Sequence, residues 1–413
     1  MQQITTVVVG AGHSGLAMSR QLSAHGIDHV VLERGKVANA WETQRWDSLR
    51  LLTPNWQSRL PDYAYAGSDP DGYMTMAEVV AYLRRYAGTI AAPVMEDTTV
   101  RRIAGDSGRY VVVTDRGSWT CRTVVMASGA CNLPAVPALA EQLPDGIASL
   151  TPFQYRAPHM LPAGGVMIVG ASATGVQLAR EIRASGRDVV LCAGEHVRLP
   201  RTYRGRDIAW WMDAIGLMDV RYDEIDDVDR ARRLPSLQLI GTPQRETVDL
   251  NSLQQAGVEI VGKLVAIDSA TAKFSGALRN HCALADLKMN RLLVGIDDWI
   301  RQAEREDEFG AASRPVPTRL HRTPRLSLDL GRSGIRSVIW ATGFRPDHSW
   351  VDLPVFDHKG RIRHSGGVAA APGLYLMGLP FMRRRKSSFI DGAAADARDL
   401  AAHMVARLSR AAA

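Results

Sequence analysis

Hydrophobic and polar positions fall into the same order twice along this chain. The run Val7-Val8-Val9 breaks at Gly10-Ala11-Gly12-His13-Ser14-Gly15, and a helical repeat follows as far as Gly26. The run Val166-Met167-Ile168-Val169 breaks at Gly170-Ala171-Ser172-Ala173-Thr174-Gly175, and its helical repeat closes at Gly186. The two turns stand 160 residues apart and stay in register, Gly15 answering Gly175 and Gly26 answering Gly186. Short apolar runs bounded by glycine read as strands, and the segments behind them as helices.

The rest of the pattern is less regular. A second strand, His29-Val30-Val31-Leu32, ends in Glu33, and a Trp- and Pro-rich loop follows. A helix is predicted from Met76 to Tyr86, with Val79, Val80 and Leu83 on its apolar face. Residues 98–128 alternate like a β-meander and end in Ala127-Ser128-Gly129. After the second turn come a helix near Asp207 to Ile215, strands at Val258–Val261 and Leu264–Ile267, and a charged helix from Asp297 to Phe309. A strand at Ser337–Trp340 runs into Ala341-Thr342-Gly343, and the chain closes with a strand near Leu374 and an Ala-rich helix from Ser388 to Leu408. These late strand-and-glycine elements read as the completion of the first domain. The predicted fold is therefore α/β with two Rossmann-like dinucleotide-binding domains, residues 159–320 being inserted between 1–158 and 321–413.

The turns carry the chemistry. A strand that turns sharply into a helix through glycines leaves room for a pyrophosphate, and the unpaired amides and dipole of the helix start favour its charge. Gly10, Gly12, Ser14 and Gly15 form the first such cradle; Gly170, Ser172, Thr174 and Gly175 form the second. Glu33 ends the strand after the first turn, where a carboxylate accepts from a ribose diol, and Arg34 follows it. The equivalent position after the second turn is Ala193, with His196, Arg198 and Arg201 beyond it as donors to a 2′-phosphate. The first site thus suits FAD and the second NADPH, with NADH as the alternative donor.

Composition narrows the class. The 413 residues are 46% apolar and 23% charged, enough for two domains with real cores. The net charge of +7 suits a phosphorylated cofactor, and no nucleic-acid motif accompanies it. Cys121, Cys131, Cys192 and Cys282 form no CxxC pair and no metal-ligand spacing. No signal-peptide pattern precedes the first strand, and no apolar run reaches the roughly 20 residues that cross a bilayer. A soluble, cytoplasmic protein without metal is expected.

With Trp41, Arg45-Trp46-Asp47-Ser48-Leu49-Arg50-Leu51, Ala127-Ser128-Gly129, Ala341-Thr342-Gly343-Phe344-Arg345-Pro346 and Gly378-Leu379-Pro380, the chain resembles the two-Rossmann, class B flavin-dependent monooxygenases. It departs from them at Pro144 and Leu150, where Phe and His are usual, and at Leu52, where many members carry Asn. The resemblance implies that Trp41 and Trp46 lie near the isoalloxazine and that Ser128, Gly129, Thr342, Gly343 and Ser388 touch cofactor. It also implies that Asp396 meets the ribityl hydroxyls, while Arg345 either faces the pyrophosphate or ribityl or is a surface residue. It implies hydride transfer from NADPH to flavin, then oxygenation of a small organic substrate by dioxygen through a flavin C4a-(hydro)peroxide. No catalytic side chain is assigned, because the cofactor supplies the hard chemistry. The alternative is an NAD(P)H-dependent flavin reductase serving a quinone or protein acceptor. No nucleic acid or membrane partner is expected, and a homodimer is left open. The run Arg383-Arg384-Arg385-Lys386 reads either as a solvated face or as an anion site.

Overall fold

The structure, a computed structural model, describes residues 1–106, 108–320 and 323–410. Two parallel sheets carry the two glycine turns. In the first, Leu374–Leu376, Thr123–Met126, Thr6–Val9, His29–Leu32 and Val94–Met95 lie side by side, with two short antiparallel strands at one edge. In the second, the order is Ala148–Leu150, Ile335–Trp340, Gly165–Val169, Val189–Ala193 and Glu259–Gly262, all parallel. The central strands of both sheets are buried along their whole length, as runs without polar alternation require. Where Thr6 and Thr123 interrupt the apolar run, their hydroxyls meet at 2.7 Å and satisfy each other.

The second unit is inserted in the first. The chain leaves through Leu133–Pro134 and returns through Phe344–Arg345, and these two segments pair antiparallel. It then adds Leu374–Leu376 to the first sheet and lays the helix Ala393–Arg410 against His13–Ala24. One strand falls on the other side of the division from that expected. Ile335–Trp340, predicted within the completion of the first domain, pairs with Gly165–Val169 at the heart of the second sheet. Ala148–Leu150 joins it there, so the second sheet draws on residues 148–340 rather than 159–320. The reason is an equivalence in the sequence itself: Ala341-Thr342-Gly343 ends its strand beside Gly170 as Ala127-Ser128-Gly129 ends its own beside Gly10.

The charged helix predicted from Asp297 instead spans Leu278–Gln302, with a short turn over Glu306–Glu308. Leu278, Cys282, Ala285, Met289, Leu293, Ile296 and Ile300 form its buried stripe at helical spacing. The helix predicted from Met76 extends to Thr89, and Thr75 and Glu78 cap it reciprocally. Among the described residues no helix is long and apolar enough to cross a membrane.

Candidate functional site

The two turns share one geometry. Gly10 and Gly170 hold φ of +105° and +112°, and their amides donate to Leu32 O at 2.8 Å and Cys192 O at 3.0 Å. A Cβ at Gly15 would strike the Gly10 carbonyl, and one at Gly175 would strike the Gly170 carbonyl, so only glycine lets helix and strand approach this closely. Gly12 and Ser172 cap the two helices in extended conformation, and neither cap receives a side-chain hydrogen bond. The first amides of both helices are thereby left for an outside anion. At Gly12 an added Cβ meets no protein atom, so a side chain there points into open space.

That space is a cavity of about 730 Å³. Gly10, Gly12, Ser14, Glu33, Arg34, Trp41, Ser128, Gly129 and Ser388 wall it, bringing together nine residues that the sequence put forward separately. Glu33 is held by two backbone amides, Ala11 N–H on one carboxylate oxygen at 2.8 Å and Gly35 N–H on the other at 3.1 Å. Further lone pairs on both oxygens stay open to a ribose diol. Two buried polar atoms of the wall, His13 Nε2 and Ser14 Oγ, have no partner in the protein. Orphaned buried donors and acceptors beside a helix start are what a bound dinucleotide would satisfy, so the site fits FAD. Burial pushes the His13 imidazole down to about 4, which keeps it neutral.

His13, Arg45, Cys131 and Asn132 also line this cavity, and sequence reasoning had passed over them. Asn132 lies beyond the Ser128-Gly129 strand end and fastens it, donating to Ser128 O at 2.9 Å and accepting from Asp347 N–H at 3.0 Å. His13 stands inside the glycine turn, and its place there was the available signal.

Other expected residues lie elsewhere. Trp46 is buried in the apolar core of the second unit and does not reach the cavity. Thr342 donates to Ala135 O at 2.7 Å, and neither it nor Gly343 lines the cavity. Asp396 is fully buried and bound through Oδ1 to Arg384 at 2.7 Å, its Oδ2 is without a partner among the described residues, and it does not line the cavity. The three residues expected to read a 2′-phosphate are buried as well. His196 turns Nδ1 to Gly194 O at 2.9 Å. Arg198, its side chain 4% exposed, is gripped by Asp249 at 2.7 Å, Asp286 at 2.6 Å and Val316 O at 2.9 Å. Arg201, 1% exposed, donates to Leu52 O at 2.8 Å and Asp207 at 2.5 Å and lies over the Tyr73 ring. Arg198 already answers two carboxylates of the fold and Arg201 one, which leaves little of their charge for a phosphate. Lys263, exposed and packed against Gly194 just past Ala193, is a cation at that end of the second site that the sequence reading overlooked.

The run Arg383–Lys386 is neither a solvated face nor an open anion site. Arg383 and Arg384 bind Asp399, and Lys386 binds Asp219 at 3.1 Å and Asp391 at 3.0 Å. Arg385 lies over Phe381.

Comparison with known proteins agrees with this geometry. A family model described as pyridine nucleotide-disulphide oxidoreductase matches residues 7–206. An uncharacterised CzcO-like oxidoreductase of Geobacillus kaustophilus is 30% identical over 404 residues, spanning 96% of this chain and 97% of that protein. The rice indole-3-pyruvate monooxygenase YUCCA8 is 26% identical over 428 residues, 97% of this chain and 90% of its own. A flavin-containing monooxygenase from Stenotrophomonas maltophilia superposes with a TM-score of 0.68 at 21% identity, covering 98% and 99% of the two chains, which shows a common fold. With its paired glycine turns and a cavity whose residues fit FAD, the chain belongs to the CzcO-like oxidoreductases and shares the fold of the flavin-containing monooxygenases.

Proposed function

We propose that this protein is a monooxygenase that uses NADPH and dioxygen to oxygenate a small organic substrate at a bound flavin. The observation that carries the reading is the shape of the cavity. Its lining includes Glu33, Gly12, Trp41, Leu52 and Phe389, which gives room for a flavin ring beside the pyrophosphate and ribose. FAD, when bound, supplies hydride acceptance and the C4a chemistry of oxygen. The chain supplies the rest: helix-start amides for the pyrophosphate, Glu33 for the ribose, and Trp41, Leu49, Leu52 and Phe389 as apolar wall. The second turn, of the same geometry, would hold the NADPH pyrophosphate, with Lys263 toward its 2′-phosphate.

The wall also argues against transfer of electrons to a disulfide. Such reductases need two cysteines in reach of each other. Cys131 is the one cysteine among the described residues that lines the cavity, and burial raises its thiol above the ordinary range. The test is isotopic. NADPH-driven turnover under ¹⁸O₂ should place one labelled atom in product while releasing little hydrogen peroxide. Rapid NADPH consumption that yields only peroxide or a reduced quinone would assign the protein to the reductases instead.

A further inference from the structure

Among the cations that wall the cavity, Arg45 has a distinct environment. Arg101 pairs with Asp115 at 3.7 Å, Arg50 donates to Tyr73 O at 2.9 Å, and Arg34 is exposed to solvent. Arg45 gives one N–H to the carbonyl of its neighbour Gln44 at 2.8 Å, and among the described residues no carboxylate pairs with it. Its guanidinium lies 5.5 Å from the Trp41 ring and 6.0 Å from the Phe153 ring. Phe153 in turn stacks on Phe344 at 4.8 Å, in the strand by which the chain crosses back from the insert. Arg45 thus stands at the seam of the two nucleotide units, between two aromatic rings, with most of its donors uncommitted.

Two aromatic rings fix the plane of a guanidinium and leave its N–H edge to meet a planar, doubly accepting anion. Burial weakens the hold of Arg45 on its proton, and the neighbouring Cys131 opposes that. The carboxylates already in the wall do not supply a counter-charge. Glu33 is held by Ala11 and Gly35, and Asp347 accepts from Ser349 N–H at 3.0 Å. Leu49, Leu52, Phe389 and Ile390 line the same cavity, so the missing anion brings an apolar body with it.

We propose that Arg45 binds the carboxylate of the substrate, and that the compounds oxygenated by this protein are organic acids with an apolar body. The proposal rests on the monooxygenase reading. The pyrophosphate of NADPH is a competing anion for this guanidinium, and the experiment separates the two. Holoenzyme, Arg45→Gln and Arg45→Lys are titrated with phenylacetate, hexanoate and the corresponding neutral amides while the visible flavin spectrum is followed. KM for NADPH is measured in parallel from anaerobic flavin reduction.

In the unmodified protein at least one carboxylate should perturb the flavin with a Kd about tenfold or more below that of its amide. Arg45→Gln should erase that difference, and Arg45→Lys, which keeps the charge and the fold, should restore part of it. Equal binding of acid and amide, or no carboxylate binding at millimolar concentration, would overturn the proposal. So would a rise in the NADPH KM of Arg45→Gln that exceeds its loss of carboxylate affinity, which would give the residue to the dinucleotide. Failure of the monooxygenase reading itself shows separately, as carboxylate binding without ¹⁸O in product.

Discussion

At the scale of single residues, side-chain type alone misassigned the arginines and three-dimensional partners reassigned them. Arg198 and Arg201 follow a nucleotide-binding strand, which is where a phosphate reader belongs, but each is enclosed by carboxylates or carbonyls of its own fold. Arg198→Ala would leave Asp249 and Asp286 facing each other without their cation, at a cost of about 3–5 kcal/mol. We therefore expect a clear loss of thermal stability, measured by calorimetry; a stable variant with only a raised KM for NADPH would refute the assignment. Gly12 poses the opposite case. Gly12→Val adds atoms where no protein atom stands, so the apoprotein should melt as before while purifying without colour, and a yellow variant would be the contrary result. His13 makes stability depend on pH. Its folded value of about 4 lies below the ordinary 6.5, so the unfolded chain binds more protons between them. Stability of the apoprotein should fall as the pH drops from about 6.5 toward 4, and His13→Gln should reduce that slope in urea titrations, leaving the share of His364, which is lowered likewise. The glycines, Glu33 and Ser128 were legible because backbone geometry dictates residue type at a strand-to-helix turn. Trp46 and Asp396 were not, because whether a side chain turns toward a cavity or a core is decided by neighbours distant in sequence.

At the scale of elements, periodicity served best where one face was apolar and the other polar. Thr6–Val9 and Gly165–Val169 lie where their apolar runs placed them. The helix Leu278–Gln302 was cut short in the sequence reading because its charged end was more conspicuous than the regular stripe from Leu278 to Ile300. Ile335–Trp340 was assigned to the wrong sheet because a buried strand carries no mark of its partner; the matching Ala-Ser-Gly and Ala-Thr-Gly ends were the mark available. The loop from Phe381 to Asp391 joins the units. Its Ser388–Ile390 stretch walls the flavin cavity, while Lys386 reaches Asp219 of the insert and Asp391 of the loop itself. Arg59 holds Asp391 from a second side at 2.6 Å. Lys386→Met should leave these carboxylates without their ammonium, loosen the cavity wall and weaken FAD retention by about tenfold, read by flavin release during ultrafiltration. Unaltered retention would mean that the clamp does not position the wall.

At the scale of the whole molecule, one chain builds two dinucleotide cradles of one geometry and inserts the second into the first through a single antiparallel crossing. That arrangement would put a hydride donor and a flavin on facing sides of one seam, and Trp41, Arg45 and Leu52 line the cavity beside it. Ligands of open parallel sheets bind beyond the carboxyl ends of the strands, and both turns lie there. The central claim is that electrons cross this seam from NADPH to flavin and are then passed to oxygen under protein control. Stopped-flow mixing tests it most directly: NADPH is added anaerobically to the yellow holoenzyme, and the reduced protein is then mixed with aerated buffer while the near-ultraviolet and visible spectra are followed. The account predicts bleaching by NADPH, then a transient near-ultraviolet band that forms before the visible flavin absorbance returns. Bleaching followed by immediate single-step reoxidation, or no bleaching at all, would contradict it.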